Sequence, residues 1–79
     1  MRQIVAASEV GAIMGELLDT EDVENDDNFF EIGGNSFIAL NFISIIKARF
    51  GMELTMLDLI RSATPHEISA ILNEVAGRR

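Results

Sequence analysis

The sequence predicts a small all-α protein, an antiparallel bundle of three longer helices and one short one, in a single domain covering residues 1–79. Three observations predict it. Apolar residues recur at helical spacing in three separate segments. Those segments are bracketed by residues that start and stop helices. And 79 residues leave room for one modest core.

The first helix is expected from Ile4, or from an N-cap at Ser8, to Leu18, with Val10, Ile13, Met14, Leu17 and Leu18 on its apolar face. Gly11 and Gly15 lie four apart inside it. Each costs about 1 kcal/mol relative to Ala, which points to a close approach by another helix. A loop follows, from Asp19 to about Asn35. It is long for a structureless connection, so it is pinned by its own side chains or functional. Val23, Phe29, Phe30 and Ile32 are the candidate pins.

The second helix begins at Ser36, because Asn35 is a strong N-cap whose side-chain oxygen takes a free N–H of the first turn. At 100° per residue, Ala39, Phe42, Ile43, Ile46 and Phe50 form the core face, and Phe37, Asn41, Ser44 and Ala48 the opposite one, flanked by Leu40 and Ile45. That outer face carries no charge, where a solvated helix normally holds Lys and Glu. Gly51 is the expected C-cap. Thr55 with Asp58 sets a short helix over 56–61. Thr64-Pro65-His66-Glu67 starts the last one: Thr64 caps, Pro65 takes the first position and Glu67 closes a capping box. Ile68, Ile71, Leu72 and Val75 face inward, and Arg78 and Arg79 read as a frayed tail.

Composition excludes several functions. At 48% apolar the chain folds rather than staying disordered. Without cysteine there is no disulfide or thiolate metal site. No apolar run reaches the length of a membrane span, and residues 1–7 do not form a signal peptide, so a cytoplasmic protein is expected. The net charge is −7, and no Lys or Arg occurs from Gln3 to Ile46. Such a field repels phosphate backbones and makes nucleic acid an unfavourable partner. It favours proteins with basic docking surfaces, although an acidic loop also serves solubility alone.

Catalytic and metal chemistry find little support. A calcium loop counted back from Glu31 places Asn25 where the essential glycine belongs. The single histidine, His66, falls in the first turn of a helix, where a surface role is commonest. Ser36 is followed by Phe37, not by the glycine of a nucleophile elbow, and Gly33-Gly34 lacks the lysine and spacing of a phosphate-binding loop. No catalytic residue and no metal site is expected. Ser36 is better placed to be modified than to react. A helix N-terminus presents unpaired N–H groups and a positive dipole end, which suit a phosphate on that serine. Gly33 and Gly34 are expected to keep the backbone bare for an approaching enzyme, and the face from Phe37 onward is what such an enzyme would grip. By these arguments alone, a plain capping serine is the better explanation of Ser36.

The stretch Asp27-Asn28-Phe29-Phe30-Glu31-Ile32-Gly33-Gly34-Asn35-Ser36-Phe37 resembles the attachment motif of the carrier-protein (thiolation) family of nonribosomal peptide synthesis. Ala39, Ile43 and Ile46, then Gly51, Glu53, Leu54, Leu59, Ala63, Thr64 and Pro65, extend the resemblance over essentially the whole chain. It implies an acyl-carrier-protein-like bundle and a non-catalytic carrier, with 4′-phosphopantetheine covalently attached at Ser36 and flanked by Gly34 and Asn35. It further implies aminoacyl, peptidyl or acyl cargo held as a thioester. The implied partners are a phosphopantetheinyl transferase, an adenylating or acyl-loading enzyme, and condensation or tailoring enzymes. They would meet a patch of Phe37, Leu40, Asn41 and Ser44, extended by Met56 and Ile60. The carrier is expected to be monomeric and free-standing, although a domain excised from a synthetase would read the same way. Two positions depart from the family pattern. Asn35 stands where Asp or His is usual, which bears on transferase choice, and Phe37 replaces Leu or Ile. Gly33-Gly34 favours the peptidyl subtype. A polyketide or fatty-acid carrier and an unmodified acidic helical adaptor are the alternatives.

Overall fold

A computed structural model describes residues 4–77. The tail at Arg78 and Arg79 lies outside the described residues. The described residues form four helices, α1 (Ala7–Leu18), α2 (Ser36–Phe50), α3 (Met56–Arg61) and α4 (Pro65–Gly77). α1 packs most extensively on α4 and also meets α2, while α3 packs on α2.

Local chemistry sets most of the helix ends. Asn35 Oδ1 accepts from Ile38 N at 2.9 Å and opens α2. Gly51, at φ 68°, closes it and donates its N–H to the Lys47 carbonyl. α3 begins with a reciprocal box: Thr55 Oγ1 accepts from Asp58 N at 3.0 Å and Asp58 Oδ2 accepts from Thr55 N at 3.2 Å. At α4, Thr64 Oγ1 accepts from Glu67 N at 3.2 Å. The Glu67 carboxylate takes the Thr64 hydroxyl at 3.0 Å.

The start of α1 differs from expectation. Its N-cap is Ala6, and Ser8 lies inside the helix. Alanine has no side-chain acceptor, so only half a capping box forms, with Glu9 Oε1 accepting from Ala6 N at 3.0 Å. The helix starts there because Val5 is buried and clasped: Val5 N donates to Asn73 Oδ1 at 2.7 Å, and Asn73 Nδ2 donates to the Val5 carbonyl at 3.0 Å. That clasp fixes the chain just before the first turn.

The core gathers Val5, Val10, Ile13, Met14, Phe29, Ala39, Phe42, Ile46, Met52, Leu54, Leu59, Ala63, Ile68 and Leu72. On α2, Ala39, Phe42 and Ile46 are buried and Ile43 and Phe50 half-buried. Phe37, Leu40, Asn41, Ser44 and Ala48 are exposed. The period of the sequence thus sorts the two faces as the chain folds.

The two glycines of α1 chiefly face the loop, and Gly11 also faces Pro65 of α4, whose Cγ would lie 3.7 Å from an added Cβ. A Cβ on Gly15 would come 2.8 Å from the Thr20 carbonyl oxygen, and one on Gly11 would come 3.3 Å from that of Val23. The acidic segment leaves α1 through Asp19, in the left-handed conformation at φ 51°, and doubles back over both positions. It is then pinned repeatedly. Asp27 Oδ2 accepts from Glu24 N at 2.8 Å, and the Asn25 carbonyl accepts from His66 N at 3.0 Å. Phe29 is fully buried, and Val23, Phe30 and Ile32 are half-buried.

Candidate functional site

Ser36 is the first residue of α2 and is exposed. Its position follows from the turn in front of it. Asn28 Oδ1 accepts from both Phe30 N at 2.9 Å and Glu31 N at 3.2 Å, and the Asn28 carbonyl accepts from Ile32 N at 3.0 Å. This Asx-type turn makes 28–33 a compact coil rather than a loose loop. The Phe29 N–H donates to the Ala63 carbonyl at 2.8 Å, fastening the turn to the junction before α4. The Gly34 N–H then donates to the Phe29 carbonyl at 2.8 Å, and Asn35 caps the helix.

The two glycines have different reasons to be glycine. Gly33 is exposed, sits at φ 119°, and a Cβ there would meet nothing within 4 Å. Its requirement is conformational. Gly34 is half-buried, and its φ is not in the left-handed region. A Cβ there would run into the Phe29 ring and come 2.5 Å from the Phe29 carbonyl oxygen. Gly34 is bare because it lies on Phe29, a reason the sequence did not show.

The Ser36 hydroxyl has no hydrogen-bond partner among the described residues. The first turn of α2 contains no acidic side chain. Asn35 occupies the Ile38 N–H, and the preceding N–H groups of the turn have no intrahelical acceptor. Open backbone at Gly33, an unengaged hydroxyl and the positive end of a fifteen-residue helix fit a phosphodiester on Ser36.

Around it lies an uncharged surface. Phe37 is 79% exposed and Leu40 59% exposed, with Asn41 and Ser44 also exposed on α2. On α3, Ile60 is 59% exposed. Met56 is half-buried and packs against the core. Leu57, at 54% exposed, is the large apolar residue that sequence reasoning missed on this helix. Two turns give too few repeats to phase a six-residue helix, so nothing in the sequence separated Met56 from Leu57.

Among the described residues, no group of three His, Asp or Glu side chains could hold a metal ion. His66 is exposed at the start of α4. Among the same residues, no helix is long and apolar enough to cross a membrane.

Comparison with known proteins places this geometry. Residues 8–72 match the family described as phosphopantetheine attachment site. The chain is 36% identical over 61 residues to malformin synthetase mlfA of Aspergillus niger, covering 77% of this chain and 1% of that protein. It is 39% identical over 64 residues to tyrocidine synthase 3 of Brevibacillus parabrevis, covering 81% of this chain and 1% of that one. The chain therefore spans a very small part of the relatives it matches. Among solved structures, it resembles one of the phosphopantetheine transferase Sfp in complex with coenzyme A and a peptidyl carrier protein. The TM-score is 0.81 at 21% identity, covering 98% of this chain and 95% of that one. A four-helix fold with these matches, spanning the exposed serine and the turn that presents it, makes the chain a member of the phosphopantetheine-attachment family, non-catalytic carrier domains whose covalently bound cofactor is 4′-phosphopantetheine.

Proposed function

We propose that Ser36 is the attachment residue and that the chain works as a peptidyl-carrier domain in nonribosomal peptide assembly. The observation that carries this reading is the exposed Ser36 hydroxyl, without a hydrogen-bond partner among the described residues, at the first position of α2 and inside the matched span.

In the modification step, Ser36 Oγ acts as the nucleophile toward coenzyme A. A bond forms between Oγ and the phosphorus next to the pantetheine arm, and the phosphoanhydride bond breaks. The adenosine bisphosphate leaves with the bonding pair, and the hydroxyl proton passes to a base of the transferase. The chain's own contribution is presentation. Asn35 holds the first turn closed, and the helix N-terminus favours the negative charge that the product keeps. When attached, the group supplies a terminal thiol on a flexible arm, on which cargo is held as a thioester.

Phe37 and Leu40, with Asn41 and Ser44, form the surface that a transferase and a loading enzyme would share, and Leu57 and Ile60 add apolar area on α3. Such a patch suits brief visits, because small interfaces release quickly and the tether raises effective concentration at each site. A further relative, the probable non-canonical nonribosomal peptide synthetase CymA of Salinispora arenicola, 35% identical over 66 residues, supports the nonribosomal setting.

The test is intact-mass analysis after incubation with coenzyme A, magnesium and a broad-specificity transferase. One adduct on the wild type and none on Ser36→Ala is the expected result. A folded wild-type chain that stays unmodified with a competent transferase would point instead to an adaptor.

A further inference from the structure

We propose that Phe29 is a positioning residue for the modification of Ser36, acting through Gly34; this rests on the reading of Ser36 as the acceptor. Phe29 is held from three directions. Its N–H donates to the Ala63 carbonyl at 2.8 Å. Its fully buried ring lies edge-on to Phe30, centroids 5.2 Å apart, and tilted against Phe42 of α2 at 5.6 Å. Its carbonyl accepts the Gly34 N–H at 2.8 Å. Ring and carbonyl together occupy the space that any side chain on residue 34 would need.

Ser36, by contrast, is held by nothing of its own. Its side chain has no hydrogen-bond partner among the described residues, and it is exposed along with Asn35 and Phe37. The buried anchors of α2 begin only at Ala39. Ahead of them Ile38 is half-buried against the core, and the backbone before it is held by the Asn35 cap and the seat of Gly34 on Phe29. The cap works only if residue 35 arrives extended, at φ −141° and ψ 177°, and the seat delivers it there. Phe29 thus ties the position of the hydroxyl to the rigid junction before α4. A nucleophile must meet its target in a narrow range of geometry, and small displacements are expensive.

The consequence separates presentation from docking. Leu40 and Ser44 lie beyond the first turn of α2, so a partner still finds most of its surface when the seat is disturbed, but the hydroxyl is delivered badly. Initial rates of modification by a broad-specificity transferase should be measured for wild type, Gly34→Ala, Phe29→Leu and Ile68→Val. The last is a conservative core change on α4. Hydrogen exchange at the Ile38 amide reports the cap independently of any transferase. The proposal expects kcat to fall about tenfold or more for Gly34→Ala, as misplacement of a reacting group does. It expects KM for the carrier to stay near the wild-type value and Ile38 protection to be lost. Phe29→Leu should fall in the same direction, and Ile68→Val should keep both kcat and Ile38 protection.

Losses of kcat that follow global stability alike in all three variants would overturn the proposal, leaving Phe29 as ordinary core. So would wild-type kcat and Ile38 protection in a folded Gly34→Ala protein. Should Gly34→Ala fail to fold, Phe29→Leu decides by the same kcat, KM and exchange readouts. If the wild type itself takes no adduct, the reading of Ser36 fails, and with it the proposed role in modification. Exchange at Ile38 would then show separately whether the seat exists.

Discussion

Asn35 Oδ1 and Ile38 N lie 2.9 Å apart, and the hydrogen bond between them encloses Ser36 and Phe37 in a closed first turn of α2. Ser36 and the most exposed aromatic ring are therefore presented by one capping interaction. Replacing Asn35 with Ala should cost about 1 kcal/mol of stability, a drop of roughly 4–8 °C in Tm for a domain of this size. Asn35→Asp keeps the acceptor and adds a negative charge at the helix N-terminus, worth about 0.3–1 kcal/mol in favour of folding. Thermal unfolding of both variants at neutral pH checks the pair; equal losses in the two would remove the cap from the account.

Gly33 and Gly34 should respond differently to the same substitution. Gly33→Ala forces a side chain into φ 119° with nothing nearby to clash. Its cost is the backbone penalty alone, about 1–3 kcal/mol. Urea denaturation measures it. The expected lesion is lower stability without an altered packing of Phe29, whose ring signals in NMR should stay at their wild-type shifts.

Asn73 and Val5 are 68 positions apart in sequence and joined by two hydrogen bonds. Asn73→Ala removes both and leaves the Val5 backbone groups unpaired against the core, a loss of about 1–3 kcal/mol. Hydrogen exchange should find the Val5 amide protected in the wild type and fast in the variant. A Val5 amide that exchanges equally fast in both proteins would show that the clasp does not hold in solution.

Phe37 contributes little to folding because its ring is 79% exposed. Phe37→Ala should change stability by no more than about 0.5 kcal/mol. If the ring is a docking anchor, the same change weakens the transferase encounter by about 1 kcal/mol, roughly a fivefold rise in KM for the carrier. Steady-state kinetics at saturating coenzyme A separate the two effects, and an unchanged KM would move the anchor elsewhere on the surface.

How much of this could be read before the fold was known depends on how local each cause is. The starts of α2, α3 and α4 were legible because each is set by a side chain acting three residues along: Asn35 on Ile38, Thr55 with Asp58, Thr64 with Glu67. The start of α1 was not, since Ala6 offers no acceptor and the clasp that fixes it comes from Asn73. Gly11 and Gly15 announced a close approach, but the approaching partner is chiefly the returning loop, whose path depends on Asp19 and on pins as far away as His66. At the site, Ser36, Asn35 and the bare outer face of α2 followed from pattern and period. The role of Gly34 did not, because it needs the fold to bring the Phe29 ring beneath it.

The central claim is that the hydroxyl of Ser36, and no other, takes the pantetheine arm. Fragmentation mass spectrometry of the modified chain tests it most directly, by assigning the adduct to a residue among the exposed hydroxyls, which include Ser8, Thr20, Ser36, Ser44 and Thr55. The account predicts a single adduct on Ser36, at full occupancy, with Ser44 unmodified although it lies on the same exposed helix. An adduct on any other residue, or one that persists in Ser36→Ala, would contradict it.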